Sequence, residues 1–544
     1  MPRFRWLLPI FLVLLSACSR SGPDLSGLDG RRGGTLRLTS LTDLRTLDTA
    51  IGYDTASWRF ERLLNSGLLD YADDATLVPA IARALPRVEQ GRRFTFQLRD
   101  DVRFHHGRRV VAADFKYALE RLLNPATKSP AVSFFTIIDG ATEYADGKVA
   151  SVRGIRCPDE RTLVIELTEP DVAFLNALAM PFAYPIPREL VERYTDPVTG
   201  RSTWAEHAVG CGPYQLEEWV RGLRIRVRRF PGYYRQDLGL VGAVEQRFGI
   251  PDFMQLMMFE RGEVDVSDIP LPDFGRVMAS PRLRPLLRTA PDNAIYYCSM
   301  NTEMPPFNRR EVRQAFNYAV DKERLVRILN HTSTAARGVL PPGMPGYNPS
   351  LRGYPYDPAL ARRLLAAAGY PNGLNVVLTT RSRPTEKAWA EAVQQDLRQV
   401  GVRVTLNAIS FPQWLDLAGT RGKLAFTVGN WFQDYPDPSN FLDVLLNGNR
   451  ITAVNSNNRA FYHNPRVNAL LDRARGMTDN AARLRLYQEA EELVVEDAPW
   501  IFLFHPNRFV LVQPWVHDYV LHPVWSSRED RLWLGPPQGA TRQP

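Results

Sequence analysis

Cysteine is scarce in this chain: there are four in 544 residues. Cys157, Cys211 and Cys298 lie in the body, which permits at most one internal disulfide and does not say which pair would form it. No two stand at the Cys-x-x-Cys spacing of redox and zinc motifs. The eight histidines are scattered, and the adjacent His105 and His106 would face opposite sides of a strand, so metal binding is unsupported. Also missing are a P-loop, a Gly-x-Gly-x-x-Gly turn after a strand, a His-Glu-x-x-His helix and a Gly-x-Ser-x-Gly elbow. Gly210-Cys211-Gly212-Pro213-Tyr214 is glycine-rich, but Pro213 removes a backbone donor that a phosphate cradle needs. These absences point away from an enzyme and from any cofactor or metal. Beyond residue 22 no apolar run approaches the roughly 20 residues of a membrane helix.

Charge is present but not concentrated. A formal net charge of +8 invites a nucleic-acid or anionic-surface partner. The basic residues, nearly all arginine, are instead spread along the chain and interleaved with 59 acids, so no nucleic-acid partner is expected. In the densest run, Arg224, Arg226 and Arg228 alternate with Ile225 and Val227, the pattern of a half-buried strand with a solvated basic face.

The first 22 residues read as an export signal. Arg3 and Arg5 precede an apolar stretch over 6–15, and Ser16-Ala17-Cys18 supplies small residues. Leu15-Ser16-Ala17-Cys18 is similar to the bacterial lipoprotein box, in which the cysteine is lipidated and becomes the mature N-terminus; the alternative is an ordinary cleaved signal with Cys18 incidental. The expectation is a periplasmic or extracytoplasmic body tied to the membrane through lipid on Cys18.

Length alone implies roughly three or four domain-sized units. Strands are predicted over 34–39, 93–98, 162–167, 214–219 and 223–229, with a helix over 114–123 that Pro125 ends. Residues 295–300 form an apolar extended run suited to crossing between lobes. Beyond them helix and strand alternate. Asn308 is the expected cap of a helix whose stripe is Val312, Ala315, Phe316, Ala319 and Val320. Asp357 and Pro358 open a helix that Gly369 closes. A strand over 375–379, a helix over 385–400 stopped by Gly401 and a strand over 402–406 make a parallel βαβ unit. A helix over 481–495 and a strand over 500–504 follow, the latter able to return the chain across a hinge.

The most informative stretch is 424–442, LAFTVGNWFQDYPDPSNFL. Residues 424–428 read as a buried strand ended by Gly429 and Asn430. Trp431, Phe432, Asp434 and Tyr435 then precede a Pro-Asp-Pro turn. One carboxylate among aromatic rings, just past the carboxyl end of a strand, suits a ligand bearing a cation such as an ammonium. The alternative is an ordinary turn in which Asp434 caps backbone and the aromatics are core.

With that stretch, six more segments bear a resemblance: 33–50 (GGTLRLTSLTDLRTLDTA), 94–130, 210–219 (GCGPYQLEEW), 300–325, 340–347 (LPPGMPGY) and 356–373 (YDPALARRLLAAAGYPNG). From about residue 33 to about 524 the chain resembles the extracellular solute-binding proteins of the peptide/nickel family, the oligopeptide and dipeptide receptors of ABC importers. The resemblance implies an α/β, two-lobed periplasmic-binding-protein-like fold with a hinge and an extra inserted subdomain. Its parts would be a discontinuous lobe I (34–75, 204–293 and 503–535), the subdomain at 76–203, and lobe II at 294–502. It implies a monomer that binds peptides between the lobes and delivers them to an ABC permease, with no chemistry of its own.

In the oligopeptide receptors the Asp of a Trp-x-x-Asp segment holds the peptide's α-ammonium, a pattern that falls on Trp431 and Asp434. The resemblance carries over further to Tyr53 and Thr55 in the first ligand-contacting loop, to Phe134 and Phe135 in the subdomain, and to Asn430 and Tyr435 beside the acid. Arg337 is a candidate for the peptide carboxylate. His106 and Arg109 replace an Asp and a Pro of the family's pattern, Thr49 a Pro and Cys211 a Thr, which leaves ligand preference free to differ. The alternatives are a same-fold receptor for a nickel chelate, haem, an opine or a sugar, and an exported enzyme.

Overall fold

The computed structural model describes residues 28–536. The export signal with Cys18 and the end of the tail beyond 536 lie outside the described residues.

Four strands build the first sheet: β1 (Thr35–Thr39), β2 (Tyr214–Val220), β3 (Arg224–Arg229) and β4 (Ala243–Arg247). Their spatial order is β1-β4-β3-β2, with β1 parallel to β4 and the other pairs antiparallel. Ile225 and Val227 are fully buried while Arg224 and Arg228 are exposed, the alternation expected of β3. The basic face is neutralised locally: Arg224 pairs with Glu218, and Arg226 with Glu217 and Glu245. After β1 a loop leads to α1 (Thr55–Leu64), whose cap Asp54 accepts from the Ser57 N–H at 2.8 Å. Two parallel contacts of 2.6 and 2.7 Å from Arg121 hold Asp48 and pin that loop to the helix Ala112–Leu123.

That helix belongs to a separate four-stranded sheet made of Arg87–Glu89, Arg93–Gln97, Thr162–Glu166 and Ile155–Asp159. Phe94, Phe96, Phe115, Leu119, Leu163 and Ile165 are fully buried between sheet and helix, so this region carries its own core.

The largest sheet has eight strands. Its central members are β5 (Ala294–Met300), β6 (Leu374–Arg381), β7 (Val402–Ile409), β8 (Phe426–Phe432) and β9 (Trp500–Val512), in the order β9-β5-β8-β6-β7. β6 and β7 run parallel with α2 (Pro384–Gln399) between them, as the βαβ reading requires. The thirteen-residue β9 spans both lobes: its first half pairs with β5, its second with Leu287–Pro291 and Val266–Asp268. The chain therefore crosses twice side by side, near Asp292 and near Pro506, joined by the Asp292 N–H to the Pro506 carbonyl at 2.9 Å.

Two local readings differ. Gly429 and Asn430 do not end β8, which continues to Phe432 by pairing with β5 from Tyr297↔Gly429 to Ala294↔Phe432. The glycine makes room: a Cβ there would stand 2.4 Å from the Tyr297 ring. The helix Arg310–Ala319 is preceded by Arg309, not Asn308, because the turn through Pro306 closes on the Arg309 N–H at 3.3 Å. Cys157, Cys211 and Cys298 are free thiols.

Candidate functional site

β8 delivers the chain to the rim of the large sheet, where the Gln433 N–H bonds the Asn293 carbonyl at 3.0 Å. The turn through Asp434 and Tyr435 then enters α3 (Ser439–Leu446). Asn440, on its first turn, is fully buried and holds the turn from inside. Its Oδ1 accepts from Trp431 Nε1 at 3.0 Å and from the Asp434 N–H at 2.9 Å, and its Nδ2 donates to Asp434 Oδ2 at 3.0 Å. One amide thus orients both the indole and the carboxylate. It was missed in the sequence; its only signal is an asparagine directly after Pro-Asp-Pro-Ser, where a solvated cap is the default expectation.

The other carboxylate oxygen faces the segment that leads into α1. Tyr53, just before α1, donates its hydroxyl to Asp434 Oδ1 at 2.5 Å. Its ring sits 5.6–6.3 Å from those of Trp58, Phe134 and Phe182, an aromatic cluster across from Trp431 and Tyr435. Gln433 adds a second contact between the lobes, to the Pro523 carbonyl. Burial lifts the Asp434 carboxyl above its ordinary pKa, and the Tyr53 and Asn440 donors draw it part of the way back. Burial and the Asp434 charge together hold the Tyr53 hydroxyl protonated.

A cavity of about 800 Å³ opens beside this contact, within the range of small-ligand sites, about 300–1,000 Å³. It is lined by Tyr53, Phe134, Trp431, Asp434 and Tyr435, five of the residues expected at the site. The other expected residues stand elsewhere. Asn430 alternates to the opposite face of β8, where its Oδ1 accepts from Arg381 at 2.6 Å. Thr55 is the first residue of α1, beyond the Asp54 cap, and borders a separate recess beside Arg59 and Arg508. Phe135 is buried in the subdomain core against Phe174. Arg337 is exposed and donates to the Pro349 carbonyl at 3.3 Å, away from the cavity lining.

Charged residues not singled out in the sequence also line the cavity: Glu169 and Asp171, just after the strand Thr162–Glu166, and Asp443 and Arg450, in and just beyond α3. They converge through tertiary structure alone. The Val172 N–H bonds the Arg475 carbonyl at 3.0 Å and fastens this segment to the end of the helix Pro465–Arg475. Burial pushes Asp171 up to about 6, opposed by Arg475 and reinforced by the charges of Asp443 and Asp437.

A family model described as "Bacterial extracellular solute-binding proteins, family 5 Middle" matches residues 76–453. The chain is 30% identical to the glutathione-binding protein GsiB of Pectobacterium atrosepticum over 463 residues, 84% of this chain and 86% of that one. Against the heme-binding protein A of Haemophilus influenzae the identity is 29% over 476 residues, 84% of each. Among solved structures, the clavulanic acid biosynthesis oligopeptide binding protein 2 superposes with a TM-score of 0.84 at 27% identity, covering 93% of this chain and 96% of that one.

Proposed function

Because the chain belongs to family 5 of the bacterial extracellular solute-binding proteins, receptors that capture substrates outside the cytoplasm for ABC importers and are not enzymes, we propose that its ligands are peptides, held between the lobes by their free α-ammonium at Asp434 and passed to the permease. The observation that carries this reading is the Asp434 carboxylate itself. It is fixed by Asn440, flanked by aromatic residues and lines the cavity of about 800 Å³. An ammonium is the ligand group that such an acid recognises best. The extended peptide backbone can be met by strand edges and side chains by water, independently of sequence. The proposal extends to lobe I at 34–75, 204–293 and 503–535, the subdomain at 76–203 and lobe II at 294–502. It extends also to a monomer anchored by lipid on Cys18.

Native mass spectrometry of the purified protein tests the ligand class. Intact peptides are expected to co-purify and to be recovered unchanged after incubation; a haem, a nickel chelate, an opine or a sugar in their place refutes the peptide reading.

The role given to Asn440 as a positioning residue has its own test. Asn440→Asp keeps both acceptor contacts but puts a second carboxyl against Asp434, and two carboxyls so close share a proton. The acid limb of the peptide-affinity profile is therefore expected to move to higher pH, read by calorimetry across pH 4–8. An unshifted profile would reduce Asn440 to a space-filling residue.

A further inference from the structure

The cavity carries more negative charge than one α-ammonium answers. Four carboxylates line it, Glu169, Asp171, Asp434 and Asp443, against one guanidinium, Arg450. Asp443 is neutralised by Arg475 at 2.9 and 3.1 Å and accepts from Asn447 at 2.7 Å. Glu169 lies 3.4 Å from both Arg450 and Arg475. Asp434 is taken by the proposed α-ammonium. Asp171 remains. Its Oδ1 accepts from the backbone N–H of Ala173 at 2.9 Å, and among the described residues no ion pair reaches it.

We propose that the receptor is selective for doubly cationic peptides, with the α-ammonium at Asp434 and a basic side chain, ammonium or guanidinium, at Asp171. This rests on the peptide reading above and adds the substrate class. A partly buried carboxylate that no guanidinium meets in a direct ion pair keeps much of its desolvation cost, so an arriving cation gains more there than at an already paired acid. Complementary charge in a closing cleft discriminates among ligands of the same backbone. Asp171 also lies on the subdomain, so a ligand held at both acids would tie the subdomain to the opposite lobe. The raised pKa of Asp171, which the nearby Arg475 charge offsets only in part, agrees with an acid that lacks a direct ion pair.

Calorimetry with tripeptides tests this: Ala-Ala-Ala, and Lys or norleucine placed at each of the three positions in turn. Norleucine keeps the aliphatic stem and removes the charge. In at least one position the Lys peptide is expected to bind about tenfold tighter or more than its norleucine partner. Asp171→Asn, which retains an acceptor for the Ala173 N–H, is expected to erase that difference while leaving norleucine-peptide affinity within about twofold. Equal affinities within every Lys/norleucine pair, or a preference that survives in Asp171→Asn, overturns the inference and leaves the peptide reading intact. If no tripeptide binds, the peptide reading falls and this inference with it. A thermal midpoint matching wild type certifies the variant as folded, and the wild-type comparison needs no variant.

Discussion

Replacing Asp434 with alanine is expected to lower peptide affinity by about a hundredfold or more, because an enclosed ammonium left without its partner costs about 3–5 kcal/mol and each 1.4 kcal/mol is about tenfold. The lost contact itself, a charge-assisted hydrogen bond, is worth about 1.5–3 kcal/mol; the remainder is desolvation that nothing repays. Asp434→Asn sharpens the experiment. It can still accept from Tyr53, but its new NH2 group then faces the Asn440 NH2, so its effect combines the lost charge with one lost hydrogen bond. Calorimetry with a peptide and with its N-acetylated counterpart gives the readout. Wild type should reject the acetylated form, whereas the variants should bind both equally weakly. Unchanged affinity in Asp434→Ala would remove this residue from ligand recognition. pH dependence follows from the same group. The acid is needed ionised, and its pKa stands above the ordinary carboxylate value, so affinity is full well above that raised value and is lost as pH falls through it.

The second large effect concerns the support beneath the site. Asp437, between the two prolines that follow Tyr435, is almost wholly buried and receives Arg483 Nη2 at 2.6 Å. Arg483 comes from the helix Asn480–Asp497 and is itself buried. Burial alone would raise the Asp437 pKa; the guanidinium more than reverses this and holds it below the usual value. Arg483→Met leaves a buried carboxylate with no counter-ion and is expected to destabilise the protein by about 3–5 kcal/mol. Urea denaturation should show a clearly lower midpoint, and Arg483→Met/Asp437→Asn should recover part of the loss. A midpoint equal to wild type would mean that the pair contributes nothing. Since the folded-state pKa of Asp437 is depressed, the pair's contribution is present above the unfolded value of about 3.9 and disappears as pH falls through the lower folded one.

Where apolar period and stop signals agree, the fold was legible in the chain. The unit β6–α2–β7 stands within a few residues of its expected bounds, and Asp357 caps its helix by accepting from the Leu360 N–H at 2.8 Å. Local signals failed where distant pairing decides. Gly429 reads as a breaker until Tyr297 is seen to need its missing side chain. β9 reads as five residues because its last six pair with segments more than 200 residues earlier. The site divides in the same way. Tyr53, Phe134, Trp431, Asp434 and Tyr435 share a cavity, and each carries a motif or an aromatic cluster that marks it. Asn440 and Asp171 carry no such mark, since their importance lies in what the tertiary structure puts opposite them. Arg337 and Thr55 show the converse, residue types suited to a ligand on backbone that leads away from it.

The paired crossings near Asp292 and Pro506 also limit how far the two sides of the cavity can separate. Halves tethered twice at one edge cannot drift apart, so Tyr53 remains at a high effective concentration beside Asp434 whether the mouth is open or shut. Reclosing is then a unimolecular event that needs no diffusional search.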